Sequence, residues 1–286
     1  MKVLVIGNIH TEALKLLSSQ YDLSIISSEQ FLSSSSFDCE VVVFRTFTPM
    51  FSPELDKMPN LRFAVLCSVG TDNVDAIEMK KRGIELIFVP GTNANSVAEH
   101  TLYLILSLLR EDVRSPFAEL KNKTVGICGF GAIGKLVATK LKGFGCHVLA
   151  FDVIPQDPVV VGDLGVVMVS FEDIFSKSDI ISIHVPYMKQ TEKLVNDSAF
   201  RLIKNGAFFV NTSRAEVIDD EALLVHAPRF RGVGVDVYST MLEEGLRRGT
   251  CKNIILTPHI AAQGEESFRA QCIRPIEEFL KKMELV

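Results

Sequence analysis

Gly129-Phe130-Gly131-Ala132-Ile133-Gly134 is the stretch on which the reading of this chain turns. It closes an apolar run, Thr124-Val125-Gly126-Ile127-Cys128, and leads into Lys135-Leu136-Val137-Ala138-Thr139-Lys140-Leu141, whose apolar residues recur at helical spacing. A second apolar run, His147-Val148-Leu149-Ala150-Phe151, ends on Asp152. Strand, glycine turn, helix, strand and carboxylate, in that order, describe a dinucleotide-binding βαβ unit. Gly129 turns the chain, Gly131 admits the backbone to a pyrophosphate, and Gly134 lets helix and strand pack closely. The N–H groups at the helix start, at Ala132 and Ile133, are expected to hold the pyrophosphate. Asp152 is expected to accept hydrogen bonds from the adenosine ribose. Its charge repels a 2′-phosphate, and Val153-Ile154-Pro155 bring no cation to hold one. The expected cofactor is therefore NAD(H) rather than NADP(H).

The chain has 286 residues, enough for two domains, and 47% of them are hydrophobic. A net charge of −5 without a basic tract excludes a nucleic-acid footprint. No apolar run reaches the length of a membrane span, and Met1-Lys2-Val3-Leu4-Val5-Ile6-Gly7-Asn8 reads as a first strand rather than a signal peptide. Six cysteines (Cys39, Cys67, Cys128, Cys146, Cys251 and Cys272) are scattered without CxxC pairs. They point to a reducing cytoplasm and no metal site.

Two doubly wound α/β layers are expected. In residues 1–93 the candidate strands are Lys2–Ile6, Leu23–Ser27, Glu40–Phe44, Phe63–Cys67 and Glu85–Val89, with helices at Thr11–Ser19 and Asp75–Arg82 and a serine loop at Ser33–Ser36. Ser96 with Glu99 three residues on reads as a capping box. It opens an apolar helix, continuing as Thr101–Arg110, that should be buried between layers or subunits. Later strands are Ile180–His184, Ala207–Asn211, Val233–Val237 and Asn253–Leu256. A last helix, Ser267–Met283, carries an apolar face that Pro275 should kink or restart. The chain is expected to leave the first domain near residue 94 and return near 263. An NAD-binding Rossmann domain (94–262) is then inserted into a flavodoxin-like substrate domain (1–93 and 263–286), with an active-site cleft between them.

Three strand ends carry candidate chemistry. Arg214 follows Val210-Asn211-Thr212-Ser213, Asp236 ends Gly234-Val235, and His259 follows Leu256-Thr257-Pro258. Open α/β sheets bind ligands at such ends. An arginine there can clamp a carboxylate with two hydrogen bonds, and a histidine can exchange a proton near neutral pH.

These segments, with Val69-Gly70-Thr71-Asp72-Asn73-Val74-Asp75, Asn93-Ala94-Asn95-Ser96-Val97-Ala98-Glu99 and His184-Val185-Pro186 with Thr191, resemble the D-isomer-specific 2-hydroxyacid dehydrogenases over nearly the whole chain. That family includes glycerate dehydrogenases (hydroxypyruvate/glyoxylate reductases), phosphoglycerate dehydrogenases and D-lactate dehydrogenases. The resemblance implies that Arg214 holds the substrate carboxylate and polarises the keto oxygen, and that His259 is the acid/base. It implies that the N–H groups of Val69 and Gly70 complete the carboxylate cradle. Asp236 and Thr212 lie against the nicotinamide, with Val185, Pro186 and Thr191 along the cofactor. It further implies a cytoplasmic homodimer acting on a small 2-keto or 2-hydroxy acid.

Three departures from the family stand out. Met241 takes the place of a glutamate that pairs with the histidine, and Glu243 and Glu244 are the nearest carboxylates to replace it. Ala215 replaces a glycine, and the link between Arg110 and Lys123, which in relatives adds to the dimer and the cleft wall, is abbreviated. The expected activity is reduction of hydroxypyruvate or glyoxylate by NADH. The alternatives are an NAD(H)-sensing binding protein of the same fold, a phosphoglycerate dehydrogenase, and a relative acting on formate or phosphite.

Overall fold

The computed structural model describes residues 1–110, 117–250 and 253–284. Residues 111–116 of the abbreviated link and Cys251 lie outside them. The chain divides into two compact units, Met1–Asn93 with Gln263–Val286, and Ala94–Ala262.

The first unit is built on a parallel sheet of five strands: β1 (Lys2–Ile6), β2 (Asp22–Ile26), β3 (Val41–Phe44), β4 (Phe63–Leu66) and β5 (Glu85–Ile87), ordered β2-β1-β3-β4-β5. Alternation along β1 shows why both faces are covered. Val3 and Val5 face one core with Leu17, Cys272, Ile276 and Phe279, and Leu4 and Ile6 face another with Phe31, Phe44 and Met79. The C-terminal helix Glu265–Glu284 closes the first of these cores, with Phe279 5.6 Å from the Phe63 ring and 5.8 Å from that of Tyr21. It runs across Pro275 as one helix rather than restarting there. Two short helices, Ser28–Ser33 and Ser52–Leu55, were not foreseen, and Ser33 belongs to the first of them rather than to the loop.

The second unit carries seven parallel strands: β6 (Thr124–Cys128), β7 (His147–Phe151), β8 (Val166–Met168), β9 (Ile180–Ile183), β10 (Phe208–Asn211), β11 (Gly232–Val235) and β12 (Ile254–Leu256). Their order is β12-β11-β10-β9-β6-β7-β8. The strand order reverses at β6, between β7 and β9, which makes its C-terminal end the topological switch point.

The apolar helix begins at Ala94 and runs to Arg110. Ser96 therefore lies inside it and does not cap it. Its hydroxyl donates to the Ala261 carbonyl at 2.7 Å, and Glu99 accepts from Asn95 and Lys140 instead. The helix is buried between layers of its own unit: Leu104, Ile105, Leu108 and Leu109 join Val125, Ile127, Val137 and Leu141 in one core.

Gly134 sets how closely the helix Ala132–Leu141 approaches β6, and Gly129 how closely the turn between them approaches the end of β9. At Gly134 a Cβ would lie 2.2 Å from the Gly129 carbonyl oxygen. At Gly129, where φ is +98°, it would lie 2.7 Å from the His184 backbone at the end of β9. At Gly131 it would meet open space. Gly134→Ala should therefore lower unfolding free energy by about 1–3 kcal/mol, whereas Gly131→Ala should change it by less than about 0.5 kcal/mol. Urea unfolding of the two variants checks this, and equal losses would contradict it.

Candidate active site

The helix Ala132–Leu141 starts on Gly131, whose lack of a side chain leaves the first N–H groups without a side-chain cap. Its first turn has no acidic residue, and Gly131 and Ala132 are exposed. This is a helix N-terminus shaped for an anion. Asp152, at the end of β7, is held on both oxygens: one accepts the Phe130 N–H at 2.7 Å, the other the Ile154 N–H at 2.8 Å. Each oxygen keeps a second lone pair, so the carboxylate can take ribose hydroxyls while the glycine turn fixes its position. These residues fit a dinucleotide.

Arg214 is presented by a turn that Asn211 builds. The Asn211 amide donates to the Arg214 carbonyl at 3.0 Å, and its oxygen accepts both the backbone N–H and the hydroxyl of Ser213. The guanidinium of Arg214 also donates to the Ser213 carbonyl at 2.8 Å. Arg214 and exposed His259 line one cavity of about 380 Å³ with Glu216, Asp236 and Tyr238.

Asp236 is 1% exposed, and its carboxylate holds the loop that carries His259. Its oxygens accept from the Thr257 hydroxyl (2.6 Å), the Ile260 N–H (2.9 Å) and the Ala261 N–H (2.9 Å). Its backbone carbonyl accepts the His259 N–H at 2.8 Å. His259 itself has φ of 53°, a left-handed conformation that a non-glycine residue keeps only when its surroundings enforce it. The role implied for Asp236, touching nicotinamide, is thus overlaid by a structural one.

His100, on the helix Ala94–Arg110, completes the clamp. The Thr257 hydroxyl proton is committed to Asp236, so the 2.9 Å contact between Thr257 Oγ1 and His100 Nε2 must carry the histidine's proton. His100 was not singled out from the sequence. The sequence offers only a histidine next to the apolar run Thr101–Leu109, with nothing local to mark its partner.

The other candidates are placed as follows. Thr212 is buried and donates its hydroxyl to Thr101 at 3.0 Å, because the Thr101 hydroxyl is spent on Val97. Thr191 ties the loop after β9 together, donating to the Pro186 carbonyl at 2.6 Å and accepting the Met188 N–H. Val185 is half-buried and Pro186 exposed on that loop. Val69 and Gly70 follow β4 in the first unit and are half-buried. Glu243 and Glu244 are ion-paired at 3.0 Å with Arg247 and Arg248 one turn on, and Met241 lines a different cavity from that of His259.

Burial raises the pKa of Asp236, but the donors from His100, Thr257, Ala261 and Ile260 outweigh it and hold the carboxyl below its ordinary value. Its stabilising contribution is therefore complete above the unfolded pKa of about 3.9 and is lost as pH falls further. Asp236→Asn should cost about 2 kcal/mol or more at pH 7, with the gap to the native chain closing below about pH 4. Urea unfolding across pH measures it, and a gap independent of pH would sink the clamp.

Residues 96–261 match the family model for the NAD binding domain of D-isomer specific 2-hydroxyacid dehydrogenases. Hydroxypyruvate reductase of Thermotoga maritima is 31% identical over 95% of this chain and 95% of its own. The D-2-hydroxyacid dehydrogenase (NAD+) of Lacticaseibacillus paracasei is 35% identical over 75% of this chain and 73% of its own. The solved structure of D-lactate dehydrogenase from Aquifex aeolicus, complexed with NAD and lactic acid, matches with a TM-score of 0.83. Its identity is 28%, and the match covers 99% of this chain and 95% of that one. The chain belongs to the D-isomer specific 2-hydroxyacid dehydrogenase family and is an NAD-dependent enzyme of it.

Proposed function

We propose that the protein reduces hydroxypyruvate or glyoxylate to the corresponding hydroxy acid, reversibly and with NADH. The observation that carries this reading is the shared cavity of Arg214 and His259, a fixed cation beside a proton donor. Bound NADH supplies the hydride, delivered to the keto carbon. Arg214 clamps the substrate carboxylate and stabilises the negative charge that develops on the keto oxygen. His259, as imidazolium, donates its proton to that oxygen and recovers it in the reverse direction. The N–H groups of Val69 and Gly70 complete the hold on the carboxylate.

The preference for a small, unphosphorylated acid rests on charge. A cavity of about 410 Å³ in the first unit, at the ends of β1 and β3, is lined by Asn8, Arg45, Phe47, Gln263, Glu265 and Phe268. One cation beside one carboxylate is a poor seat for a phosphate dianion. The reading includes a cytoplasmic homodimer. The scattered cysteines support the cytoplasm, and the family resemblance alone supports the homodimer, because the apolar face of the helix Ala94–Arg110 is used by its own sheet.

NADH oxidation with glyoxylate, hydroxypyruvate, pyruvate and phosphohydroxypyruvate tests the proposal. Turnover of the first two is expected, and Arg214→Gln should lower it by about 10²–10³-fold. Turnover confined to phosphohydroxypyruvate would overturn the substrate choice, and NADH binding with no turnover at all would favour a sensor. NAD(H) should bind at least about tenfold more tightly than NADP(H), or 1.4 kcal/mol, and Asp152→Ala should narrow that gap. Equal affinities in the native chain would contradict the role of Asp152.

A further inference from the structure

Cys67 and Cys272 are 205 residues apart in sequence and adjacent in the first unit. Cys67 immediately follows β4, and its N–H donates to the Phe44 carbonyl at 2.8 Å. Cys272 lies on the buried face of the C-terminal helix. Both side chains are fully buried, and both are free thiols. The Cys67 thiol donates to the Cys272 carbonyl oxygen at 3.7 Å, which sets the two side chains beside each other.

Two features separate this pair from ordinary core cysteines. The first is Arg45, whose guanidinium stacks 4.6 Å from the Phe268 ring centre and whose buried Nε has no hydrogen-bond partner. Its charge favours the thiolate at both sulfurs. The second is access. Arg45 and Phe268 line the cavity of about 410 Å³. Phe268 is one helical turn before Cys272 on the same face, and Arg45 follows the residue that binds the Cys67 backbone. Neither sulfur lines the cavity, but each cysteine neighbours one of its wall residues, so a small oxidant held there reaches the pair when Phe268 and Arg45 give way. The two sulfurs are also unequal. Cys272 lies below its ordinary pKa through the neighbouring Cys67 side chain, a pull that outlasts burial with help from the His10 N–H and Arg45. Cys67, which keeps its proton, is pushed up by the neighbouring Cys272 side chain and by burial.

We propose that Cys67 and Cys272 are a redox site that hydrogen peroxide converts to a disulfide, tying the end of β4 to the C-terminal helix and loosening Ser68-Val69-Gly70. The Cys272 thiolate attacks one peroxide oxygen. The O–O bond breaks, the departing hydroxide takes up a proton to leave as water, and Cys272 becomes a sulfenic acid. The Cys67 sulfur then attacks the sulfenic sulfur. The S–S bond forms as the S–O bond breaks, and the Cys67 proton leaves with the oxygen in a second water. Two thiols are oxidised and one peroxide is reduced to two waters. An S–S bond is only about 2.05 Å long, so closure draws the strand end and the helix together. Ser68, next in the chain and with its buried hydroxyl unpartnered, takes up the displacement.

The test treats the full chain with hydrogen peroxide. Non-reducing peptide mapping by mass spectrometry then finds the linkage, and hydrogen–deuterium exchange follows residues 68–72. A Cys67–Cys272 cross-link, with exchange in that segment faster by about threefold or more and restored by a thiol reductant, supports the proposal. Cys272→Ser should abolish both changes, while Cys39→Ser and Cys146→Ser should leave them intact. Peroxide that leaves both thiols unjoined, links either to another cysteine, or forms the cross-link without a change in exchange overturns it. Neither readout depends on turnover, and native-chain mapping alone decides the linkage if a serine variant fails to fold.

Discussion

The absence of side chains at Gly129 and Gly134 is the constraint on which the second unit depends. With a Cβ at Gly134 the helix Ala132–Leu141 could not sit against β6, because it would strike the Gly129 carbonyl, and with one at Gly129 the turn itself could not sit against the end of β9, because it would strike the His184 backbone. The contact aims the uncapped end of that helix at the strand-order reversal between β6 and β9. The same turn places the Phe130 N–H on Asp152, so the carboxylate that ends β7 is positioned by the turn that opens the helix. One close packing thus fixes both the uncapped helix end and the carboxylate beside it.

The ends of β10 and β12 rely on a different device. Strand ends give Arg214 and His259 approximate positions, and side chains beneath them give orientation. Asn211 folds the turn under Arg214, and Asp236 gathers Thr257, Ile260 and Ala261 beneath His259. A buried carboxylate without partners would be costly. Here each bond that satisfies it also fixes the histidine's loop, so stability and orientation come from the same contacts.

Legibility in the sequence followed the range of the interactions. The glycine turn, β1, β6 and β7 could be read because their determinants are local: apolar runs of strand length bounded by turn residues. Strand β8 escaped because it is three residues long with Val167 exposed, although Asp157-Pro158 and Gly165 mark the two ends of the helix before it. Ser96 shows a local rule overruled. Its spacing to Glu99 is that of a capping box, yet its hydroxyl is taken by Ala261, 165 residues away. The fate of Glu243 and Glu244 was accessible, since arginines four residues later on a helix are their natural partners. His100 was not accessible, because what gives it meaning is a hydroxyl 157 residues distant.

That bond from Ser96 to Ala261 has a consequence of its own. It joins the two extremities of the second unit, Ala94–Ala262, so this 169-residue excursion returns to where it began. An insertion whose ends meet can be gained, lost or exchanged without parting β5 from the helix that closes the host core. Such a unit is also a natural candidate for excision as an independent folding module. The chain can in this sense be regarded as one small sheet protein interrupted at a single point by another.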